Sequence, residues 1–347
     1  MSDYPSIVHT SLRSIDSLPV RMTAPDILDL EKVAAHIARA RDRGRYNGPT
    51  NPTEYLFHKQ CLVKEGEELL ATPAGILCFG HRPQQIFSRA VVDIGHYRGV
   101  APLSFEVIHL EKDIGGTIFD QIERVEAYLW TNTHHGMTVN DSSIERVEIH
   151  EYPRVVIREL VVNMLAHRDY TNILSAARVQ IFRDHIEWLS PGGLPPGVTV
   201  SNILMVQASR NPAILSILYE AGYVEAIGQG LDTVVTVLER EDMPPPHFED
   251  DRSFFLVTVV GRPLDTFYSG DVYTRLTERQ RRILAIIRGR GEASSRDIAA
   301  QLAEHTTQRS IQRDIKALLA FGLIRSIGES VASRYCLQDV STRRSRP

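Results

Sequence analysis

Three polar side chains recur at four-residue intervals in the stretch ELVVNMLAHRDY, residues 159–170. Glu159, Asn163 and His167 would lie on one narrow stripe of an α-helix, because four residues complete slightly more than one turn. A carboxylate beside an amide oxygen suits Mg²⁺, which takes oxygen ligands and is usually shared with phosphates. Asn163 is therefore a candidate metal ligand, and Glu159 a candidate general base for a water next to the metal.

The same spacing is also typical of a surface helix with one polar face, and a short motif alone does not separate the two interpretations. His167 is either a third polar contact or a helix-end residue favoured by the helix dipole. The HRD tripeptide at 167–169 also occurs in protein kinases, but the DFG motif and the glycine-rich loop of a kinase are missing from this sequence. We expect Asp169 to help terminate the helix and to hold Arg168 locally.

The elements that follow this helix indicate an α/β unit with a place for an anion. The pattern predicts a hairpin at 178–182 and 186–189, a loop SPGGLPPG at 190–197, helices at 212–221 and 231–239, and a strand at 254–260. Gly228-Gln229-Gly230 opens the second helix, and an N-terminus behind glycines offers N–H groups and a positive dipole end to an anion. This order implies helices on one face of a mixed sheet, an α/β (α+β) fold class.

The N-terminal part of the chain predicts a smaller α/β region. Apolar spacing favours helices at 24–45 and 117–130. The run GILCFG at 75–80 lies between glycines and predicts a short buried strand, with residues 90–97 as its partner.

Four motifs occur in a fixed order: RELVVNMLAHRDY, IEWLSPGGLPPG, SRNPAIL and GYVEAIGQGLDTV. Together they resemble the ATP-binding domain of bacterial RecG-like, Schlafen-associated predicted transcriptional regulators. That domain is a divergent member of the gyrase, chaperone, histidine kinase and MutL (GHKL) superfamily. The resemblance covers residues 148–263, and residues 20–145 resemble, less sharply, the segment that joins the Schlafen AlbA-like domain to the ATPase.

The resemblance implies ATP and Mg²⁺ as cofactors. It implies that Glu159 polarises the attacking water and that Asn163 binds Mg²⁺. The same resemblance implies that the loop around Ser190, Gly192 and Gly193 is the glycine box beneath adenine. It also implies that Gly228 and Gly230 bind phosphate and that residues 194–211 form the ATP lid. Two further candidate cofactor-binding residues are His167, at the end of the helix, and Arg210, in the lid.

One position departs from the superfamily. Ser190 stands where the aspartate that reads adenine is expected, and the nearest acid is Glu187 on the preceding strand. A serine hydroxyl accepts a hydrogen bond more weakly than a carboxylate, so the nucleotide and its affinity stay open. Arg210 either donates to the γ-phosphate or forms a structural salt bridge.

The C-terminal part differs in charge from the rest. From residue 277 onward there are 14 Lys/Arg and 7 Asp/Glu, a net charge of +7. Because the whole chain has a net charge of −4, residues 1–276 have a net charge of −11. This asymmetry suggests nucleic acid at one end only. Helices fit residues 277–288, 295–304 and 307–320, with Gly322 as a C-cap and a hairpin at 323–337 that turns at Gly328.

TTQRSIQRDIKALLAFGLI resembles bacterial winged helix-turn-helix domains. Its polar, basic face suits a helix in the major groove of double-stranded DNA, and the hairpin would be a wing on the phosphates. A winged helix used only for protein contacts is the alternative. The candidate DNA contacts are Gln308, Arg309, Ser310, Gln312, Arg313, Lys316, Arg325 and Arg334.

Bulk composition limits the class of protein. With 347 residues, 43% of them hydrophobic and 24% charged, the chain is expected to form two or three globular domains. It has no apolar run near the roughly 18 residues that span a bilayer. The N-terminus lacks a secretory signal pattern, and three widely spaced cysteines fit a reducing compartment. We expect a cytoplasmic protein that does not bind membranes.

The sequence thus predicts an N-terminal α/β region (1–145), a GHKL-type ATP-binding domain (146–265), a linker (266–276), a winged helix-turn-helix domain (277–338) and a basic tail (339–347). The leading hypothesis is a transcriptional regulator in which ATP–Mg²⁺ controls homodimer geometry and DNA binding. One alternative is an ATPase that acts on DNA in repair or defence. A true helicase motor is not expected, because the GxxxxGK[ST] P-loop is missing. The other is a degenerate, non-hydrolysing fold that serves as a dimerisation platform.

Overall fold

The computed structural model describes residues 14–139, 146–224, 230–263, 276–302, 307–321, 323–327 and 333–337. The chain forms two compact units. The first contains the described residues up to His134 together with His150–Arg262, and the second contains His135–Ile149 and the residues from Pro263 onward. Within the described ranges, no helix is both long and apolar enough to cross a membrane.

The helices and strands are as follows. The α-helices are α1 (Leu30–Asp42), α2 (Pro52–His58), α3 (Pro73–Phe79), α4 (Ile118–Asn132), α5 (Arg154–Ala166), α6 (Pro212–Ala221), α7 (Gly230–Arg240), α8 (Glu278–Arg290), α9 (Ser295–Gln301) and α10 (Gln308–Ala320). The strands are β1 (Leu62–Glu65), β2 (Glu68–Ala71), β3 (Val92–Tyr97), β4 (Val107–Ile114), β5 (His135–Val139), β6 (Arg146–His150), β7 (Ala177–Ile181), β8 (His185–Pro191), β9 (His247–Asp250), β10 (Phe254–Val260), β11 (Glu292–Ser294), β12 (Ile324–Ile327) and β13 (Arg334–Leu337).

A six-stranded mixed sheet forms the centre of the first unit. Its strand order is β4-β3-β7-β8-β10-β9. The β3–β7 pair is parallel and the other neighbours are antiparallel. The predicted hairpin is confirmed as β7–β8, in which Val179 pairs with Trp188. Because β3 and β4 precede residue 146, the sheet of the predicted ATP-binding domain extends into the N-terminal region.

Helices α4 and α5 pack against this sheet, consistent with the predicted mixed α/β fold. Along β8, Ile186, Trp188 and Ser190 are buried, whereas the alternate residues Glu187 and Leu189 are half-buried. Such alternation places successive side chains on opposite faces. Helix α5 packs between α4 and α7 and against β8. One continuous hydrophobic core runs through the unit, with members from Leu28 to Val259.

The prediction of a strand at GILCFG is wrong, because residues 75–79 belong to helix α3 and Gly80 is its C-cap. Thr72 caps this helix by accepting a hydrogen bond from Gly75 N, and Pro73 occupies the first turn, where its missing N–H costs nothing. Every residue of α3 is buried, so no polar position reveals the helical period. Strand β3, its expected partner, pairs with β4 and β7 instead.

The second unit has its own core. Three helices, α8, α9 and α10, begin where the sequence predicts, and a three-stranded antiparallel sheet of order β11-β13-β12 completes this part. Buried Asp314 on α10 pairs with Arg279 of α8 and lies 3.4 Å from Gln280 Nε2, which ties the two helices together. Gly322 and Gly328 lie outside the described residues.

Candidate functional site

A cavity of about 280 Å³ lies in the first unit between α5, β8, β10 and residues 194–209. Clefts of this general size bind small molecules in many proteins. Seven predicted cofactor-site residues line it, namely Glu159, Asn163, His167, Ser190, Gly192, Gly193 and Gly230. Arg210 lies beside the cavity without lining it, and Gly228 lies outside the described residues. The fold therefore brings together residues that are up to 71 positions apart, while their roles stay predictions.

One end of the cavity combines a carboxylate, an amide and the start of α7. Glu159 is only 7% exposed. Asn163 Nδ2 donates to the backbone carbonyl of Glu159 at 2.7 Å. The other side-chain atom, the amide oxygen, is an acceptor and therefore the one suited to bind a cation. A Cβ at Gly230 would lie 2.7 Å from Asn163 Nδ2 and 3.0 Å from Glu159 Oε2. Only a glycine lets the start of α7 approach these two side chains so closely.

His167 forms the C-terminal end of α5, where its backbone N–H donates to Asn163 O at 3.1 Å. Burial, and next the positive charge of Arg210, lower the pKa of His167 to about 4. The imidazole is therefore neutral at pH 7 and offers a hydrogen bond, not a charge, to a ligand.

Arg210 links the end of the predicted lid to the glycine loop. Its Nη2 donates to Gly193 O at 2.5 Å, and its Nη1 lies 3.8 Å from Asp169 Oδ2. These contacts are structural, and contact of Arg210 with a phosphate stays a prediction.

The glycine loop after β8 is fastened to the β9–β10 turn. Gly192 N donates to Ser253 O and Gly193 N donates to Arg252 O, both at 2.8 Å. Leu194 N donates to Asp250 Oδ1 at 3.0 Å. Because these three N–H groups already donate to atoms of the protein, the loop offers a ligand van der Waals contact rather than backbone hydrogen bonds from them.

Ser190 and its neighbours on β8 decide what the cavity offers to a flat ring. Ser190 Oγ donates to Met164 O at 2.8 Å, so its remaining capacity toward a ligand is that of an acceptor. Glu187 cannot replace the missing aspartate, because it lies on the opposite face of the sheet, 3.6 Å from His185 Nε2.

Sequence reasoning missed Trp188. It lines the same cavity, is 1% exposed, and its indole N–H has no hydrogen-bond partner among the atoms that the structure describes. A buried donor of this kind is uncommon in folded proteins. The signal was present in the sequence, since the alternation in IEWLS places Trp188 on the same face as Ser190.

The HRD residues hold the end of α5. Arg168 is fully buried and donates to the carbonyls of Val91 and Ser175, each at 2.9 Å, and to that of Arg89. Asp169 Oδ1 accepts from Thr171 N at 2.9 Å and from its hydroxyl at 2.6 Å. Asp169 thus shapes the turn after the helix, but the expectation that it holds Arg168 is corrected: backbone carbonyls hold that guanidinium.

The predicted DNA-contacting residues lie on α10 and the β12–β13 hairpin. Ser310 is half-buried and donates to Thr307 O at 2.7 Å, a contact within the helix cap. Arg334 Nη1 lies 3.0 Å from Glu292 Oε1. Arg334 and the other candidates have exposed side chains: Gln308, Arg309, Gln312, Arg313, Lys316 and Arg325.

Comparison with known proteins gives the site a family context. Residues 175–259 match the family model described as "Putative ATP-dependent DNA helicase recG C-terminal". The match indicates a RecG-type ATPase-like domain. It includes β8, the glycine loop, residues 194–211 and α7, and it begins after α5. No curated protein matches this sequence.

A solved structure shares the fold. The chain is similar to the DIP2311 protein from Corynebacterium diphtheriae, with a TM-score of 0.57 and 20% sequence identity over 93% of this chain and 64% of that one. The chain therefore spans less than two thirds of the length of that protein. At this identity the similarity establishes the fold alone.

Proposed function

We propose that the first unit binds ATP with Mg²⁺ in the cavity along α5, and that this binding controls how the second unit binds double-stranded DNA. One observation carries the proposal: Glu159, Asn163 and Gly230 meet at one end of a cavity whose other walls belong to a RecG-type ATPase-like segment. The protein would then be a nucleotide-responsive transcriptional regulator.

The two ends of the cavity suit the two ends of a nucleotide. Trp188, Phe255 and Val257 give an apolar wall that fits a base. The Asn163 amide oxygen and the Glu159 carboxylate are oxygen donors of the kind that Mg²⁺ prefers, and Gly230 starts a helix whose dipole favours phosphate. When bound, Mg²⁺ would neutralise phosphate charge at this end.

Calorimetric titration with ATP, with and without Mg²⁺, tests the first step. We expect saturable binding that needs Mg²⁺ and that Asn163→Ala weakens by about tenfold or more, since the variant loses an oxygen ligand. Asn132→Ala is a matched control, because Asn132 Nδ2 makes the same four-residue bond, to Tyr128 O at 2.8 Å, on another helix. Absence of binding by the wild type in both conditions contradicts the proposal.

The second unit supports the DNA part of the proposal. Its order of helix, strand, two helices and hairpin is consistent with a winged helix, in which α10 would be the recognition helix and β12–β13 the wing. Arg309, Arg313 and Lys316 follow one another at steps of four and three residues, so they form one basic stripe on α10. A homodimer would present two such stripes to paired half-sites.

A second candidate function, ATP hydrolysis, rests on Glu159. Its carboxylate would take a proton from water while the water oxygen bonds to the γ-phosphorus and the bond to the β–γ bridging oxygen breaks, giving ADP and phosphate. Glu159→Gln keeps the shape and removes the base, so we expect phosphate release to fall by roughly 10²–10⁴-fold while ATP binding persists. Equal rates for wild type and variant would exclude Glu159 as the base. Binding without turnover by the wild type would favour a non-hydrolysing switch.

A further inference from the structure

Helix α6 connects the two segments that the proposed function assigns to the nucleotide. The predicted lid, residues 194–211, ends where α6 begins at Pro212. Two residues after its C-cap Gly222, the chain reaches Val224, the last described residue before the segment that leads to Gly230. In chain order, α6 therefore lies between the lid and the segment that leads to the start of α7.

The N-terminus of α6 is capped from a distant part of the chain. Asp16 is 1% exposed, and its Oδ2 accepts a hydrogen bond from Ile214 N at 3.0 Å. The local cap residue Asn211 makes no capping bond, since its amide donates to Ala166 O and Arg168 O at 2.9 and 2.8 Å. A carboxylate at this end also interacts favourably with the helix dipole.

The C-terminus of α6 is held by guanidinium groups. Arg45 Nη1 donates to Tyr219 O at 3.1 Å and to Val224 O at 2.6 Å, and its guanidinium lies over the Tyr219 ring at 5.1 Å. Arg43 donates to Ala221 O. Cations that donate to the last carbonyls of a helix match the negative end of its dipole.

A buried ion pair fixes the rotation of α6 about its own axis. Glu220 is 3% exposed, forms an ion pair with Lys59, accepts from Tyr55 Oη at 2.7 Å, and lies 3.3 Å from His36 Nε2. Since a buried carboxylate without its partners is strongly unfavourable, α6 is expected to resist turning or sliding away from α1 and α2.

We propose that Asp16, Arg43, Arg45 and Lys59, here called the α6 clamp, set the spacing between the lid and the phosphate-binding start of α7. Asp16 is the positioning residue for the lid, and Arg45 is the positioning residue for the phosphate end. This inference rests on the proposed function and gives the N-terminal region a role in it. Because coupling is reciprocal, nucleotide in the cavity would in turn stabilise the N-terminal region around α6.

Two alanine variants of the full chain separate the two ends. For Arg45→Ala we expect ATP–Mg²⁺ affinity to fall by at least about fivefold while adenosine affinity is unchanged, because only the phosphate end loses its support. For Asp16→Ala we expect both affinities to fall together, since the lid covers the whole ligand. Arg45→Lys should recover part of the loss, because one ammonium replaces a guanidinium that serves two carbonyls.

Matched controls stay within the same region. Arg41→Ala removes an arginine from the last turn of α1, four residues before Arg45, where it donates to Gly48 O at 3.1 Å. Asp26→Ala removes an exposed acid ten residues after Asp16. Both should bind ATP–Mg²⁺ and adenosine as the wild type does. Equal effects of Arg45→Ala and Arg41→Ala, or equal losses of ATP and adenosine affinity in Arg45→Ala, would overturn the inference.

Hydrogen exchange on the nucleotide-free protein tests the clamp without any ligand. We expect Arg45→Ala to speed exchange in peptides from α7 and Asp16→Ala to speed it in peptides from residues 194–211. Failure of the wild type to bind ATP would overturn the proposed function alone. Unchanged exchange in both variants would overturn the clamp, whether or not ATP binds.

Discussion

Burial in the cavity changes the charge of a titratable side chain, because it disfavours the charged form. His167 is the clearest case, since burial and Arg210 lower its pKa to about 4. The unfolded chain, with an ordinary histidine pKa near 6.5, takes up a proton first as the pH falls. Protonation therefore favours unfolding between pH 6.5 and 4, and the stability present at neutral pH is lost across that window.

Replacement of His167 tests this prediction. We expect wild-type protein to lose about 2 kcal/mol more stability than His167→Gln between pH 7 and pH 4.5, as measured by urea unfolding. His58→Gln, which removes an exposed histidine from the last turn of α2, should follow the wild type. Parallel losses in wild type and His167→Gln would show that His167 is not the residue that resists protonation.

At this same scale, the sequence predicted the residues but not all of their contacts. Helical spacing was enough to place Glu159, Asn163 and His167 on one stripe, because that depends only on local geometry. It could not reveal that the Ser190 hydroxyl donates a hydrogen bond to Met164 O, a contact between residues 26 positions apart. Contacts of this length depend on the packing of α5 on β8.

Among the elements, the glycine loop after β8 is the most constrained piece of the site. Gly192 has a φ of +91°, and a Cβ there would lie 2.5 Å from Asp169 Cβ. Gly197, in the same loop, has a φ of +87°, but a Cβ there would meet none of the described atoms within 4 Å. A side chain at either glycine would be strained by the left-handed backbone, but only a side chain at Gly192 would also clash with Asp169.

This difference gives a matched pair of variants. We expect both Gly192→Ala and Gly197→Ala to lose roughly 1–2 kcal/mol from the left-handed backbone. Gly192→Ala should lose about 1–3 kcal/mol more, because a methyl group is forced against Asp169, and it should also weaken ATP binding. Urea unfolding and calorimetry measure both effects. Equal behaviour of the two variants would mean that the loop moves away from Asp169 at little cost.

Helix α3 shows which elements the sequence predicts poorly. An apolar run that is buried on all sides has no periodicity, so GILCFG fitted a strand as well as a helix. The start signals Thr72 and Pro73 favour the helix, and they are the part of the pattern that distinguishes the two. The amphipathic helices α4 and α10, with one buried face each, were predicted closely.

For the whole molecule, long-range pairing is what local patterns could not provide. Strand β3 joins β7 across about 80 residues of sequence, and the hydrophobic core continues from α1 to β10. The N-terminal region and the ATPase-like segment therefore fold as one unit. We expect a fragment that starts at residue 146 to be unfolded or aggregated, since it lacks two strands of its own sheet and exposes the core they cover.

The proposed DNA binding belongs to this scale, because we expect the first unit to control how the second unit binds DNA. We expect the double variant Arg309→Ala/Arg313→Ala to bind double-stranded DNA weakly. The slope of log affinity against log salt should decrease by about 2, because each missing arginine leaves one phosphate un-neutralised. Arg281→Ala/Arg282→Ala removes equal charge from α8 in the same unit and should retain most of the binding. Similar reductions in the two double variants would indicate general charge attraction instead of a recognition helix.

Coupling between the units completes this prediction. We expect ATP–Mg²⁺ to change the DNA affinity of the wild type by roughly 5–150-fold, the range of ordinary allosteric coupling. Asn163→Ala should bind DNA as the nucleotide-free wild type does and should not respond to ATP–Mg²⁺, because its change lies in the cavity and not on α10. Fluorescence anisotropy with labelled DNA at several salt concentrations measures both. If saturating ATP–Mg²⁺ does not change the DNA affinity of the wild type, the protein has two independent binding activities and no switch. A ligand that binds two conformations with equal affinity does not shift the equilibrium between them.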